Sequence, residues 1–205
     1  MEREPTSEAE LFRLALSRLD DLKLELEDGD ESDASLVRKV ADEPELRRVI
    51  AGRLRQAAHS KYDTGSEEEL ADKSRTDIRL HNQRAGQPVP IELKIAGKWS
   101  GSELRERLEN QLTQQYLRAA RHGVFLVVNR GADGDNKQWV VDGNRVDFAG
   151  VVSWLAAEAK TLVVRSTTIQ GLEVIGIDLL KRDSSISKKT KPMRQSTAAP
   201  GKKTV

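Results

Sequence analysis

Cysteine is absent from all 205 residues. That one absence excludes disulfides, thiolate zinc sites, iron–sulfur clusters and a cysteine nucleophile, so any bound metal must be held by carboxylates or histidines. Long apolar runs are missing too. No stretch approaches the ~20 residues of a membrane span, and the acidic N-terminus lacks the features of a signal peptide. The expectation is a cytoplasmic protein with no membrane partner. An excess of one charge sign is also lacking, because 34 Lys and Arg stand against 33 Asp and Glu for a net charge of +1. Bulk charge therefore names no partner, and only its distribution along the chain is informative. Residues 1–48 hold 15 acids and 8 bases, whereas residues 181–205 hold 8 bases and the single acid Asp183.

What is present divides the chain into three parts. Residues 1–42 read as an amphipathic helix over 7–27, behind a Ser7 to Glu10 capping box, followed by an acidic linker. This helix is a candidate connector to a preceding segment. Residues 43–182 read as the folded domain, and 183–205, rich in Lys, Ser, Thr and Pro, as a basic disordered tail.

Within the domain, "EPELRRVIAGRLRQAAHSKY" (43–62) starts a helix with Pro44 in its first turn. The segments "EEEL", "TDIRLH" and "PVPIELKIA" then predict a three-stranded meander. A long helix is expected over 100–123 with Gly123 as its stop, then a buried strand at "VFLVVNR" and a loop at "GADGDNKQ". A helix at "VDFAGVVSWLAAEAK" and strands at "TLVVRSTTI" and "LEVIGIDLL" complete the order. The helix between the third and fourth strands forces a crossover. The expected fold is therefore α/β, a mixed central β-sheet flanked by helices.

An acid followed two residues later by Lys occurs four times: Asp21/Lys23, Glu92/Lys94, Asp135/Lys137 and Glu158/Lys160. The tripeptide alone is uninformative, and three of the copies fall on helices or a loop, where charge is ordinary surface. Glu92 and Lys94 stand in an otherwise apolar strand, where alternation sets Ile91, Leu93 and Ile95 on one face and the charged pair on the other. If "TDIRL" pairs with it as a hairpin, Asp77 joins that face. Two neighbouring carboxylates repel, which raises one pKa unless a divalent cation neutralises both. A hard oxygen site for Mg²⁺ or Mn²⁺, with the Leu93 backbone carbonyl as a further ligand, meets that need. Beside it, the Lys94 ammonium can position a water and stabilise charge on a scissile phosphate.

Asp77, then Glu92-Leu93-Lys94 after 14 residues, then a helix carrying "ENQLTQQYL", resembles the PD-(D/E)XK nuclease superfamily over about residues 43–130. The resemblance implies a restriction-endonuclease-like core (αβββαβ) and a Mg²⁺- or Mn²⁺-dependent nuclease acting on DNA. It makes Asp77 and Glu92 metal ligands and Lys94 the residue that assists the water. Members that add a Glu from the first core helix point to Glu45, or Glu43, as a further ligand. Members with a Gln and Tyr on the following helix point to Gln111 as a supporting residue, although Tyr116 follows it by five positions rather than four. Arg107 and Arg118 are candidate phosphate contacts, with solvated surface as the alternative. Thr76 stands where a Pro often precedes the first acid.

The resemblance further implies an effector of a larger antiviral-defence or repair protein, with a homodimer or an upstream sensor as partner. The alternatives are a catalytically inactive nucleic-acid-binding or interaction module of the same fold, and an RNA-cleaving enzyme. His59, His81 and His122 have no partner at ligand spacing. Trp99, Trp139 and Trp154 read as core or rim packing.

Overall fold

The computed structural model describes residues 3–30, 32–66, 77–117, 120–131 and 137–181. Its elements are α1 (Glu8–Asp28), α2 (Ala34–Val37), α3 (Glu43–Gln56), β1 (Asp63–Ser66), β2 (Ile78–His81) and β3 (Val89–Ile95). After these come α4 (Gly101–Arg107), continued by a π-helix over Leu108–Tyr116, then β4 (His122–Asn129), β5 (Trp139–Val141), β6 (Asn144–Val146), α5 (Phe148–Arg165) and β7 (Gly171–Asp178). Five strands form one mixed sheet in the order β1-β2-β3-β4-β7. The first three are an antiparallel meander, and β3, β4 and β7 run parallel. This is the expected α/β architecture of a mixed sheet flanked by helices.

Sequence alternation decides which layer each strand face meets. Ile91, Leu93 and Ile95 join Val124, Leu126, Val128, Ile175 and Ile177 against the leucines of α1 and α3. Phe125 and Val127 on the opposite face join Leu104, Leu108 and Leu112, together with Val151 and Leu155 of α5. Both faces of β3 are thus covered, and all seven of its residues are buried, as parallel strands between helices require. In the parallel register Glu92 lies beside Phe125 and Lys94 beside Val127. The charged pair therefore occupies β3 positions whose neighbours on β4 are core hydrophobes.

The first helix packs into this core. Its Ser7 side chain accepts from Glu10 N, capping the helix, whereas the Glu10 carboxylate accepts from Thr6 N rather than Ser7 N, so only half of the expected capping box forms. Leu11, Ala15 and Leu19 are fully buried. At one end Glu8 Oε1 accepts from His122 N at 2.8 Å and lies 3.1 Å from His122 Nδ1, with Phe12 and His122 in ring contact at 5.1 Å. At the other end Lys23 Nζ donates to Gly176 O, and Asp178 N donates to Glu27 Oε1 at 2.8 Å. Leu179 N, by contrast, bonds back to Asn129 O of β4. Two backbone groups of β7 that face away from β4, Gly176 O and Asp178 N, are thus closed by side chains of α1.

A strand not anticipated from the sequence stands at Asp63–Ser66, and the one expected at 67–70 lies outside the described residues. Elsewhere three expectations change. The long helix stops being α-helical at Arg107, and Gly123 lies inside β4 rather than ending a helix. Residues 161–165, expected as a strand, complete α5: its Leu162 and Val163 pack into the core, and Ser166 ends it by accepting from Thr168 N and Ile169 N. Local β-branching loses there to the continuing helical face. Finally, β5 and β6 form a hairpin across Asp142-Gly143, whose φ angles of 49° and 79° are those of a two-residue turn with both central residues left-handed. The tail beyond residue 182 lies outside the described residues, as does Arg118.

Candidate active site

Asp77, Glu92 and Lys94 come together at the end of the β2–β3 hairpin. The register pairs Ile78 with Ile91, and one further step sets Asp77 beside Glu92. Asp77 Oδ2 accepts from Leu93 N at 2.8 Å. Because a strand residue points its N–H and carbonyl to the same side, the Leu93 carbonyl faces the Asp77 side as well. Lys94 Nζ lies 2.6 Å from Glu92 Oε1, 3.2 Å from Glu43 Oε1 and 3.9 Å from Asp77 Oδ2. Glu92 is 1% exposed, Lys94 5% and Asp77 7%.

The first-helix acid that joins the cluster is Glu43. Besides contacting Lys94, its Oε2 accepts from Ile95 N at 3.3 Å. Glu45 is used otherwise. Asp42 caps α3 by accepting from Glu45 N at 2.9 Å, and the Glu45 carboxylate reaches back to Ala41 N at 2.8 Å. The Asp42-to-Glu45 spacing is itself a capping signature, so the sequence held the signal that separates the two acids. Arg47, one turn beyond Glu43 on α3, was not anticipated. Its Nε lies 3.0 Å from Asp77 Oδ1.

Three carboxylates therefore face two cations, and burial raises the proton affinity of Glu92 and of Asp77. Burial pushes the Glu92 carboxyl up to about 8, with the Asp77 charge adding to the rise and Lys94 opposing it. Burial also raises Asp77, against the pull of Lys94, Arg47 and the Leu93 N–H. For Lys94, burial acts downward, but the charges of Glu92, Asp77 and Glu43 outweigh it and hold the ammonium protonated above its ordinary value. The repulsion expected between paired carboxylates is thus relieved by a proton on Glu92.

Gln111 lies within the π-helix and presents a buried side-chain oxygen with no protein partner. In that helix the hydrogen bond runs from i+5 to i, as from Leu117 N to Leu112 O at 3.0 Å. Residues five apart are then the pair separated by one hydrogen-bonded turn, which is the spacing of Gln111 and Tyr116. At the outer side of the cluster Trp99 is set by Lys137 Nζ and Trp139 Nε1, which both donate to its carbonyl at 3.1 Å. The Arg107 guanidinium stacks 4.9 Å from the Trp99 ring centroid, and Lys94 Nζ lies 6.0 Å from the same ring.

Hard carboxylate oxygens are the donors that Mg²⁺ or Mn²⁺ takes. Glu92 Oε2, buried without a partner, is an oxygen left over by the protein's own contacts. Among the described residues no three acidic or histidine side chains are disposed to enclose a cation, because Glu43, Asp77 and Glu92 converge on the Lys94 ammonium. The donor chemistry fits a divalent ion, while the arrangement is one in which internal cations neutralise the acids. No helix among the described residues is long and apolar enough to cross a membrane. Comparison with family models, curated proteins and solved structures finds no match to this chain. What the fold defines is an α/β protein with a mixed sheet, and its candidate site is a cluster of three acids and two bases in which Asp77, Glu92 and Lys94 are buried and Glu43 and Arg47 half-buried.

Proposed function

We propose that this protein is a divalent-metal-dependent nuclease that hydrolyses phosphodiester bonds in DNA, with Asp77, Glu92 and Lys94 as its centre. The observation that carries the reading is Glu92. A carboxylate sealed in a β-strand, with one oxygen unpartnered and its pKa pushed up to about 8, is held where it costs stability. Such a cost is characteristic of a site kept for chemistry rather than packing.

Asp77, Glu92 and the Leu93 carbonyl would hold Mg²⁺ or Mn²⁺, with Glu43 the acid from α3 nearest to them. Bound there, the ion would supply positive charge to the phosphate and acidify a water. Lys94 remains protonated, so its role is to donate: it orients the attacking water and stabilises negative charge developing on the phosphate oxygens. Gln111 offers a carbonyl oxygen with no partner of its own, suited to fixing that water. Arg107, stacked on Trp99, would meet a neighbouring phosphate of the strand.

Cleavage of plasmid and single-stranded DNA with Mg²⁺ or Mn²⁺ tests the reading, with Lys94→Ala as the comparison. Wild type cuts and the variant loses at least about 100-fold, the usual worth of such a group. Equal cleavage by both removes the assignment. A second reading, a nucleic-acid-binding module without turnover, is favoured by the ammonium that already satisfies the acids. Under it the protein binds DNA in a filter assay but takes up no Mn²⁺ at millimolar concentration.

A further inference from the structure

Arg47 has no part in the constellation expected from the sequence, yet it lies on the acid that constellation needs most. It stands four residues after Glu43 on α3, so both side chains leave the same helix face toward β3. Its Nε lies 3.0 Å from Asp77 Oδ1, while Asp77 Oδ2 takes the Leu93 N–H at 2.8 Å. One oxygen of Asp77 is therefore hydrogen-bonded and the other ion-paired.

We infer that Arg47 is a built-in competitor of the divalent cation at Asp77, so that loading the metal and releasing Arg47 from Asp77 are one event. The inference rests on the nuclease reading of this site and adds a residue that controls its occupancy.

Charge counting leads to it. In a metal-loaded site, where the ligand carboxylates have shed their protons, Glu43, Asp77 and Glu92 sum to −3 and Arg47 with Lys94 to +2. A divalent ion entering without any departure leaves +1 in this site, whereas its entry with Arg47 leaving restores neutrality. Of the two cations Lys94 is the more tightly held, its ammonium 2.6 Å from Glu92 and 3.2 Å from Glu43 and its side chain more deeply buried than that of Arg47. Arg47 cannot yield by losing a proton, since a guanidinium stays charged at any working pH. It can yield only by moving, and its long side chain lies near the N-terminus of α3, next to the exposed Arg48. A free Asp77 carboxylate is then the product of the exchange, and metal binding is weakened by the work of breaking the Arg47 contact.

Calorimetric titration of the full chain with Mn²⁺ tests this, comparing wild type with Arg47→Met and Arg47→Gln. Glutamine can still donate a hydrogen bond to Asp77, which keeps a folded variant available if methionine does not give one. Both variants bind Mn²⁺ at least about tenfold tighter, the size of one ion pair near a protein surface after partial screening. Their metal-free melting temperature falls while the rise produced by Mn²⁺ grows. Arg48→Gln removes the same charge from the same helix without touching Asp77 and leaves the affinity unchanged. Equal or weaker Mn²⁺ binding by folded Arg47 variants overturns the inference and makes Arg47 an anchor of Asp77, with the nuclease reading intact. Equal tightening by Arg48→Gln also overturns it, as a general charge effect. Absence of Mn²⁺ binding in wild type and every variant sinks the nuclease reading and the competitor together.

Discussion

The Lys94 ammonium lies 2.6 Å from Glu92 Oε1, two residues back on the same strand, with both side chains sealed from solvent. Neighbours two apart on a strand share a face, so this pair is held by the backbone itself and needs no loop to bring it together. Its behaviour with pH and substitution is correspondingly sharp.

Stability of the metal-free protein should fall as pH rises from the ordinary carboxylate range to about 8. Glu92 in the folded chain keeps its proton up to about 8, whereas in the unfolded chain it ionises near its ordinary value. Between those limits the folded state binds more protons, so raising the pH favours unfolding. Urea midpoints from pH 5 to 9 should show the decline, and Glu92→Gln should flatten it. An unchanged slope in the variant would assign the decline to another group.

Metal affinity should run the opposite way. A ligand carboxylate must shed its proton to bind a cation, so Mn²⁺ binding releases protons and tightens as pH rises toward about 8. Titrations in buffers of different ionisation enthalpy count the protons released. A pH-independent affinity would exclude Glu92 as a ligand.

Gln111→Leu should trade stability against turnover. The buried Gln111 oxygen has no protein partner, so an apolar replacement removes an unsatisfied group and leaves the melting temperature unchanged or higher. If that oxygen fixes the attacking water, cleavage drops about tenfold or more at the same time. Lost stability with unchanged cleavage would make Gln111 an ordinary packing residue.

Glu8→Ala should loosen the fold without touching the site. The Glu8 carboxylate accepts from His122 N and contacts the His122 ring, fastening α1 to the start of β4. Losing an acceptor there costs about 1–3 kcal/mol, readable by urea denaturation, while Mn²⁺ affinity stays at the wild-type value. A change in affinity would show that the α1 contact is coupled to the cluster.

The sheet and the centre of the cluster were legible in the sequence because both depend on a period of two. Ile91, Leu93 and Ile95 against Glu92 and Lys94 is a statement about strand faces, and Asp77 follows from the hairpin. Helical features that depend on longer range were less visible. The Leu104, Leu108 and Leu112 stripe reads as a continuous α-helix, and nothing local announces the change of hydrogen bonding at Leu108. Residues 161–165 look extended by composition but are held in a helix by Leu162 and Val163. The β5–β6 hairpin carried its signal in Asp142-Gly143, and Glu45 carried its own in the spacing to Asp42. Arg47 had none, since its partner Asp77 lies on another element 30 positions away and only the packing of α3 joins them.

The grip of α1 on β7 bears on how this chain is to be divided. A fragment beginning at residue 43 would retain Glu43, Asp77, Glu92 and Lys94, yet lose Lys23 and Glu27, which occupy Gly176 O and Asp178 N. The C-terminal end of its outermost strand would then present an unpaired acceptor and an unpaired donor, a place where a strand from another molecule can begin to pair. The leading helix thus acts as a guard against sheet growth between chains, and the smallest well-behaved unit includes it.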